Sequence, residues 1–282
     1  MMPQRVAEAF RAACMAELSS LKPGNVHIFA DGHGMVVQEF IHSADAVAGV
    51  IAQPGLSVGQ RILASVEATW QVVSCNTNLG IVLLCAPLIH AALSNTTSGS
   101  LREKLQSVLA GLDVDDAELA FKAIARAAPG GLGEADAHDV HEAPTISLFV
   151  AMQAAAERDR IAWQYAHGFE DVFGVGLESY TQALHKWENP AWATTVLYLT
   201  LLSEFPDSHI QRKYDQARAA EVSRQAAAHL HALLAHENPK LYQRALLQFD
   251  AELKAQKLNP GTSADLTVAT LLAHTLSHSD AL

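Results

Sequence analysis

The chain has 282 residues, 50% of them hydrophobic but only 6% aromatic, with 30 Asp and Glu against 19 Lys and Arg. That length and apolar content suffice for a sizeable core, whereas the formal charge of -11 repels a phosphate backbone and excludes nucleic acid as a partner. Cys14, Cys75 and Cys85 are an odd number without paired spacing, which excludes a disulfide framework and a CxxC metal site and fits a reducing compartment.

In chain order, Val6, Phe10, Cys14 and Leu18 recur every four residues and predict a core-facing helix over 3–20 rather than an export signal, so a cytoplasmic protein is expected. A second helix is read over 36–53. Val58, Ile62, Val66, Trp70 and Val73 form one stripe and predict a helix from Val58 to Val73. The most apolar run, Leu79 to Leu93, contains Pro87 and His90 and falls short of the roughly 20 residues a membrane span needs; it reads as a buried helix, with no membrane partner. Further helices are expected over 101–110, 114–128, 145–168, 190–204, 213–236, 239–257 and 264–277. Alternating strand patterns are scarce, and no linker or repeat divides the chain. The expectation is an all-α, single multi-helix domain over 1–282 with about ten helices.

The breaks between these helices hold the chemistry-bearing residues. Lys22-Pro23-Gly24-Asn25 is the first. Asn76-Thr77-Asn78-Leu79-Gly80 follows, and three consecutive polar side chains between two apolar helices each need a partner, of which capping supplies two. Glu67 flanks the apolar stripe, either partly solvated or in a surface salt bridge. Positions 129–144 gather Glu134, Asp136, Asp139 and Glu142 with His138 and His141; this is an oxygen-rich set suited to a hard divalent ion, or a solvated acidic loop. Asp159 shares a helix face with Trp163, while salt bridging accounts for Arg158 and Arg160. Asp207, His209, Arg212 and Lys213 sit beside a helix start, a combination that suits an anion. Finally, Thr262 can cap a helix whose third position is Asp265, or Gly261, Thr262 and Ser263 can leave backbone N–H groups open to a phosphate.

Taken in order, Lys22-Pro23-Gly24-Asn25, Glu67, Asn76-Thr77-Asn78-Leu79-Gly80, the stretch from Asp207 to Lys213, and Pro260-Gly261-Thr262-Ser263-Ala264-Asp265-Leu266 resemble the motif series of the triphosphoribosyl-dephospho-CoA synthase family across nearly the whole chain. The resemblance implies an all-helical transferase that converts ATP and dephospho-CoA into triphosphoribosyl-dephospho-CoA and adenine. That product supplies the prosthetic group of citrate and malonate decarboxylation acyl carriers. Two departures stand out: Leu79 precedes Gly80 where the family usually has lysine, and the loop from Gly130 replaces a glycine-arginine-glycine-glutamate motif. These make the chain similar to a divergent branch, found in archaea and methylotrophs, that is associated with methanopterin-type cofactor pathways and another acceptor.

Positive charge builds on the ribose as adenine leaves, so the enzyme must hold the triphosphate, stabilise that charge and deprotonate the acceptor hydroxyl. The resemblance implies that Lys22, Arg212, Lys213 and the Gly261, Thr262 and Ser263 backbone bind the triphosphate, with Gly24, Asn25 and His209 also at the ATP site. It implies that Glu67 and Asp265 bridge Mg²⁺, with Glu67 also counted as catalytic. Asn76, Thr77 and Asn78 would orient ribose or phosphate, and Asp139, Asp159 or Asp207 would serve as base. The expected partners are ATP and a hydroxyl-bearing acceptor; a homo-oligomer is left open. Two rivals come from other classes. A metal-dependent phosphohydrolase would use His138-Asp139, although Gly133 and Pro144 flank that pair and favour a loop. A non-catalytic cofactor-binding protein would keep the fold without the reaction.

Overall fold

A computed structural model describes residues 1–94, 99–129, 140 and 142–278. Among these residues there are fourteen α-helices, one π-helical turn, one 3-10 turn and no strand. The all-α expectation therefore holds. No described helix is long and apolar enough to cross a membrane. The chain divides into two compact units: Met1–Ala13, Glu39–Glu170 and Leu272–Leu282 form the first, and Cys14–Gln38 with Asp171–Leu271 form the second.

The first unit holds most of α1 (Pro3–Leu18), then α2 (Val37–Ile51), α3 (Val58–Val73), α4 (Leu79–Leu93), α5 (Leu101–Ala110), α6 (Val114–Ala127), α7 (Leu148–Ala155) and α8 (Arg160–Ala166). Local chemistry sets several starts. Ser57 with Gln60, Ser100 with Glu103, and Asp113 with Asp116 form reciprocal capping boxes at α3, α5 and α6. The predicted stripe on α3 points inward, with Val58, Ile62 and Val66 buried.

Helix α4 is apolar all round and buried, as read from the sequence, despite its internal proline. Pro87 has no N–H to give the carbonyl four residues earlier. That carbonyl, on Leu83, instead accepts a 2.6 Å bond from the buried Tyr165 hydroxyl on α8. A side chain from another helix thus replaces the missing backbone donor.

The second unit holds α9 (Leu177–Trp187), α10 (Pro190–Glu204), α11 (Ser208–Lys213), α12 (Gln216–Leu234), α13 (Gln243–Ala255) and most of α14 (Gly261–His278). Its centre is α10, started by Asn189 and Pro190 and packed against α9 and α12. Four expectations need correction. The predicted helix over 145–168 is two helices, because Asp159 ends the first run and caps α8 through its carboxylate. Helix α9 has no counterpart among the predicted elements, since Gly168, Gly174 and Gly176 precede it and the backbone kinks at Gly174, within Val172–Gly176, on its way into the helix. The break at 206–213 contains the short helix α11. Finally, α14 starts at Gly261, so Thr262 lies within its first turn rather than at the cap.

Candidate active site

In the second unit the first and last sequence motifs meet. Asn25 donates to Asn259 across 2.8 Å, joining the Lys-Pro-Gly-Asn turn to the segment that enters α14. Gly24 adopts φ +83, and a Cβ there would lie 2.8 Å from Leu253 Cδ1 and 2.9 Å from Pro260 Cδ, so only glycine fits both the conformation and the space. Its N–H donates to Asp250 Oδ1 at 2.8 Å, while the Tyr198 hydroxyl donates to the Pro23 carbonyl at 2.7 Å.

Lys22 is 1% exposed. Its ammonium pairs with the buried carboxylate of Glu17 and donates to Asn25 Oδ1 at 3.0 Å. Burial lowers the Lys22 pKa and raises that of Glu17, and each partner's charge opposes the other's shift. The Asp265 carboxylate also acts electrostatically on Lys22. Lys22 is thus an enclosed strut behind the turn.

Asp207 is 2% exposed and connects α11 to α14. One oxygen accepts the His209 and Ile210 N–H groups at 3.0 and 3.2 Å, and the other accepts the Ser263 N–H and hydroxyl, both at 2.8 Å. Burial pushes its carboxyl above the usual range, although all four donors favour the charged form. The side chain at the start of α14 is therefore Asp207, supplied by tertiary structure in place of the local cap expected from Thr262.

A basic group surrounds these two joints. Lys254 donates to the Ala30 carbonyl and to Asp250 Oδ2, each at 3.0 Å. His33 bonds the Gly24 carbonyl through Nε2 at 2.7 Å and interacts electrostatically with Lys213, Lys254 and Asp250. His209 feels Arg212, Lys213 and His33, and burial first, then these charges, hold it down at about 4. Because this folded value lies below the ordinary 6.5, neutral His209 favours folding above that pH, and the contribution is lost as pH falls towards about 4. Asp250 stays below the usual carboxylate range: burial raises it, but His27, 3.3 Å away, Lys254 and the Gly24 N–H outweigh burial. Sequence reasoning missed Glu17, His33, Tyr198, Asp250 and Lys254. The His33 signal was a histidine between two glycines, and the other four sit in ordinary helical patterns.

Gly261 tests how closely this part is built. A Cβ there would stand 2.6 Å from His209 Nδ1. Gly261→Ala is expected to displace the His209 ring and weaken ATP binding at least tenfold, with the thermal midpoint within a few degrees of wild type. Calorimetry and thermal unfolding measure the two effects, and unchanged ATP affinity would remove this junction from the site.

In the first unit, the amide motif serves the start of α4. Asn76 Oδ1 accepts the Leu79 N–H at 3.1 Å, Thr77 and Ser43 hydroxyls lie 2.6 Å apart, and Thr69 donates to Asn78 Oδ1 at 3.1 Å. All three predicted polar residues thus find partners. Glu67 is 45% exposed and lies 3.6 Å from Arg126, whose guanidinium sits 4.5 Å over the Trp70 ring. Asp159 accepts the Ile161 and Ala162 N–H groups. Glu134, Asp136, His138, Asp139 and His141 lie outside the described residues. Among the described residues, no group of three or more His, Cys, Asp or Glu side chains is placed to hold a metal ion.

A search of curated proteins finds no match to the chain. Among solved structures, a protein from Archaeoglobus fulgidus, provisionally named a triphosphoribosyl-dephospho-CoA synthase, shares the fold with a TM-score of 0.62. It is 23% identical, over 84% of this chain and 97% of that one. The family model for ATP:dephospho-CoA triphosphoribosyl transferase matches residues 3–282. With the first, fourth and last of the ordered motifs joined in the second unit and this match over nearly the whole chain, the chain belongs to the ATP:dephospho-CoA triphosphoribosyl transferase family, a family of transferases that use ATP.

Proposed function

We propose that the protein transfers the triphosphoribosyl group of ATP to the hydroxyl of dephospho-CoA, releasing adenine, at the basic group of the second unit. The observation that carries this reading is the gathering of His33, His209, Arg212, Lys213 and Lys254 around Gly24 and Gly261 in a chain whose formal charge is -11. Arg212, Lys213 and Lys254 are the local cations that suit a triphosphate; at the start of α14 the N–H groups expected to be open are taken, Gly261 by the Asn259 carbonyl and Ser263 by Asp207.

In this reading Arg212 and Lys213 contact phosphate oxygens directly, with His209, Gly261, Thr262 and Ser263 shaping the approach. Gly24 and Asn25 form the facing wall. Lys22 acts from behind by fixing Asn25, and Asp207 fixes Ser263. Mg²⁺ binding needs only one or two protein carboxylates when phosphates supply the remaining ligands. Asp265, half-buried in the first turn of α14, is a donor of that kind, and the ion would neutralise phosphate charge when bound.

The full-length protein incubated with ATP, Mg²⁺ and dephospho-CoA should release one adenine for each triphosphoribosyl product, followed by chromatography and mass spectrometry. Arg212→Ala combined with Lys213→Ala should raise the KM for ATP at least tenfold. Phosphate release without adenine would sink the proposal in favour of hydrolysis. Adenine release that depends on a different hydroxyl compound would keep the transfer and move the acceptor to the divergent branch.

A further inference from the structure

We propose that His33 is the general base that takes the proton from the acceptor hydroxyl, an assignment that rests on the transfer reaction proposed above. His33 sits in the tight turn 32–35, closed by reciprocal backbone bonds between Gly32 and Met35. Its φ of +56 is in the left-handed region that residues other than glycine seldom adopt. The Gly32–Met35 bonds and the ring's contact with the Gly24 carbonyl hold this conformation.

The holding contact also fixes the ring's chemistry. A carbonyl can only accept, so the 2.7 Å contact between Nε2 and the Gly24 carbonyl places the hydrogen on Nε2. The neutral ring then presents Nδ1 as a bare lone pair, the form a general base requires. Lys213 and His209 face the ring from α11, and Lys254 and Asp250 face it from α13. Burial first, and then the two lysines, hold the imidazole below its ordinary range, against the Gly24 carbonyl and Asp250, so it is neutral at pH 7. Of the three carboxylates expected in this role, Asp207 accepts four donors and Asp159 caps α8, while Asp139 lies outside the described residues.

The acceptor oxygen bonds to C1′ of the ATP ribose while the C1′–N9 bond breaks, and its electron pair leaves with adenine. The hydroxyl proton passes to His33 Nδ1, and Asp250 offsets the resulting imidazolium charge. His33 returns that proton to solvent, and adenine takes one from solvent, so ATP and alcohol give the triphosphoribosyl glycoside and neutral adenine.

The test uses the full chain with ATP and dephospho-CoA. His33→Gln keeps an amide donor for the Gly24 carbonyl but has no nitrogen that titrates near neutrality. It is expected to lower kcat about 100-fold or more, with KM for ATP and the thermal midpoint near wild type. The acid limb in the pH profile of kcat/KM for dephospho-CoA, measured at saturating ATP, should disappear with it. Should His33→Gln fail to fold, His33→Asn, which tolerates positive φ better, carries the same readouts. A folded variant with kcat within about threefold of wild type, or with the acid limb intact, overturns the assignment while leaving the transfer reaction standing. Wild-type protein that releases no adenine overturns both.

Discussion

Replacing Lys22 by methionine is expected to destabilise the protein by about 3–5 kcal/mol, because it leaves the Glu17 carboxylate buried without its partner. Glu17→Leu should cost a similar amount, since the ammonium would keep only the Asn25 oxygen. The double variant Glu17→Leu with Lys22→Met should lie much nearer wild type than either single change. An apolar pair in the same space has no charge to desolvate, and what remains lost is chiefly the bond to Asn25, worth about 1 kcal/mol. Urea unfolding of the four proteins gives the coupling directly. Additive single effects would mean that the pair is not mutually dependent. If the paired lysine is a strut and touches no phosphate, the double variant should also keep ATP affinity within about threefold.

Asp207→Ala is the second large effect. The substitution strands the Ser263 N–H and hydroxyl and the His209 and Ile210 N–H groups together in a buried place. Each buried donor left unmade costs about 1–3 kcal/mol, and water entering the gap recovers part of it, so a net loss of about 3–4 kcal/mol is expected. Asp207→Asn should fall between alanine and wild type, because an amide has one accepting oxygen and its NH₂ opposes donors on the other side. Thermal unfolding orders the three proteins. An asparagine variant as stable as wild type would show that the link from α11 to α14 does not depend on the second oxygen. ATP binding should weaken in both variants, since Asp207 holds the first turn of α14 against His209.

Much of this protein was determined by local sequence. Four-residue apolar spacing set α1 and α3, capping boxes set the starts of α3, α5 and α6, and the apolar run with Pro87 gave a buried helix. The ordered Lys-Pro-Gly-Asn, Asn-Thr-Asn and Pro-Gly-Thr-Ser-Ala-Asp motifs pointed to the family that the full-length match shows. These features are legible because periodicity, capping and glycine chemistry act over a few residues. The partners of those motifs were not legible. Nothing near Pro87 announces that Tyr165 will take the Leu83 carbonyl, and nothing near Ser263 announces that Asp207 will cap it from 56 positions away. Glu17 and Asp250 read as ordinary helical carboxylates until burial makes each one need a specific cation or N–H group. Desolvation is the physical reason: a polar group acquires an obligatory partner only when tertiary packing removes water from it, and that partner can lie anywhere in the chain.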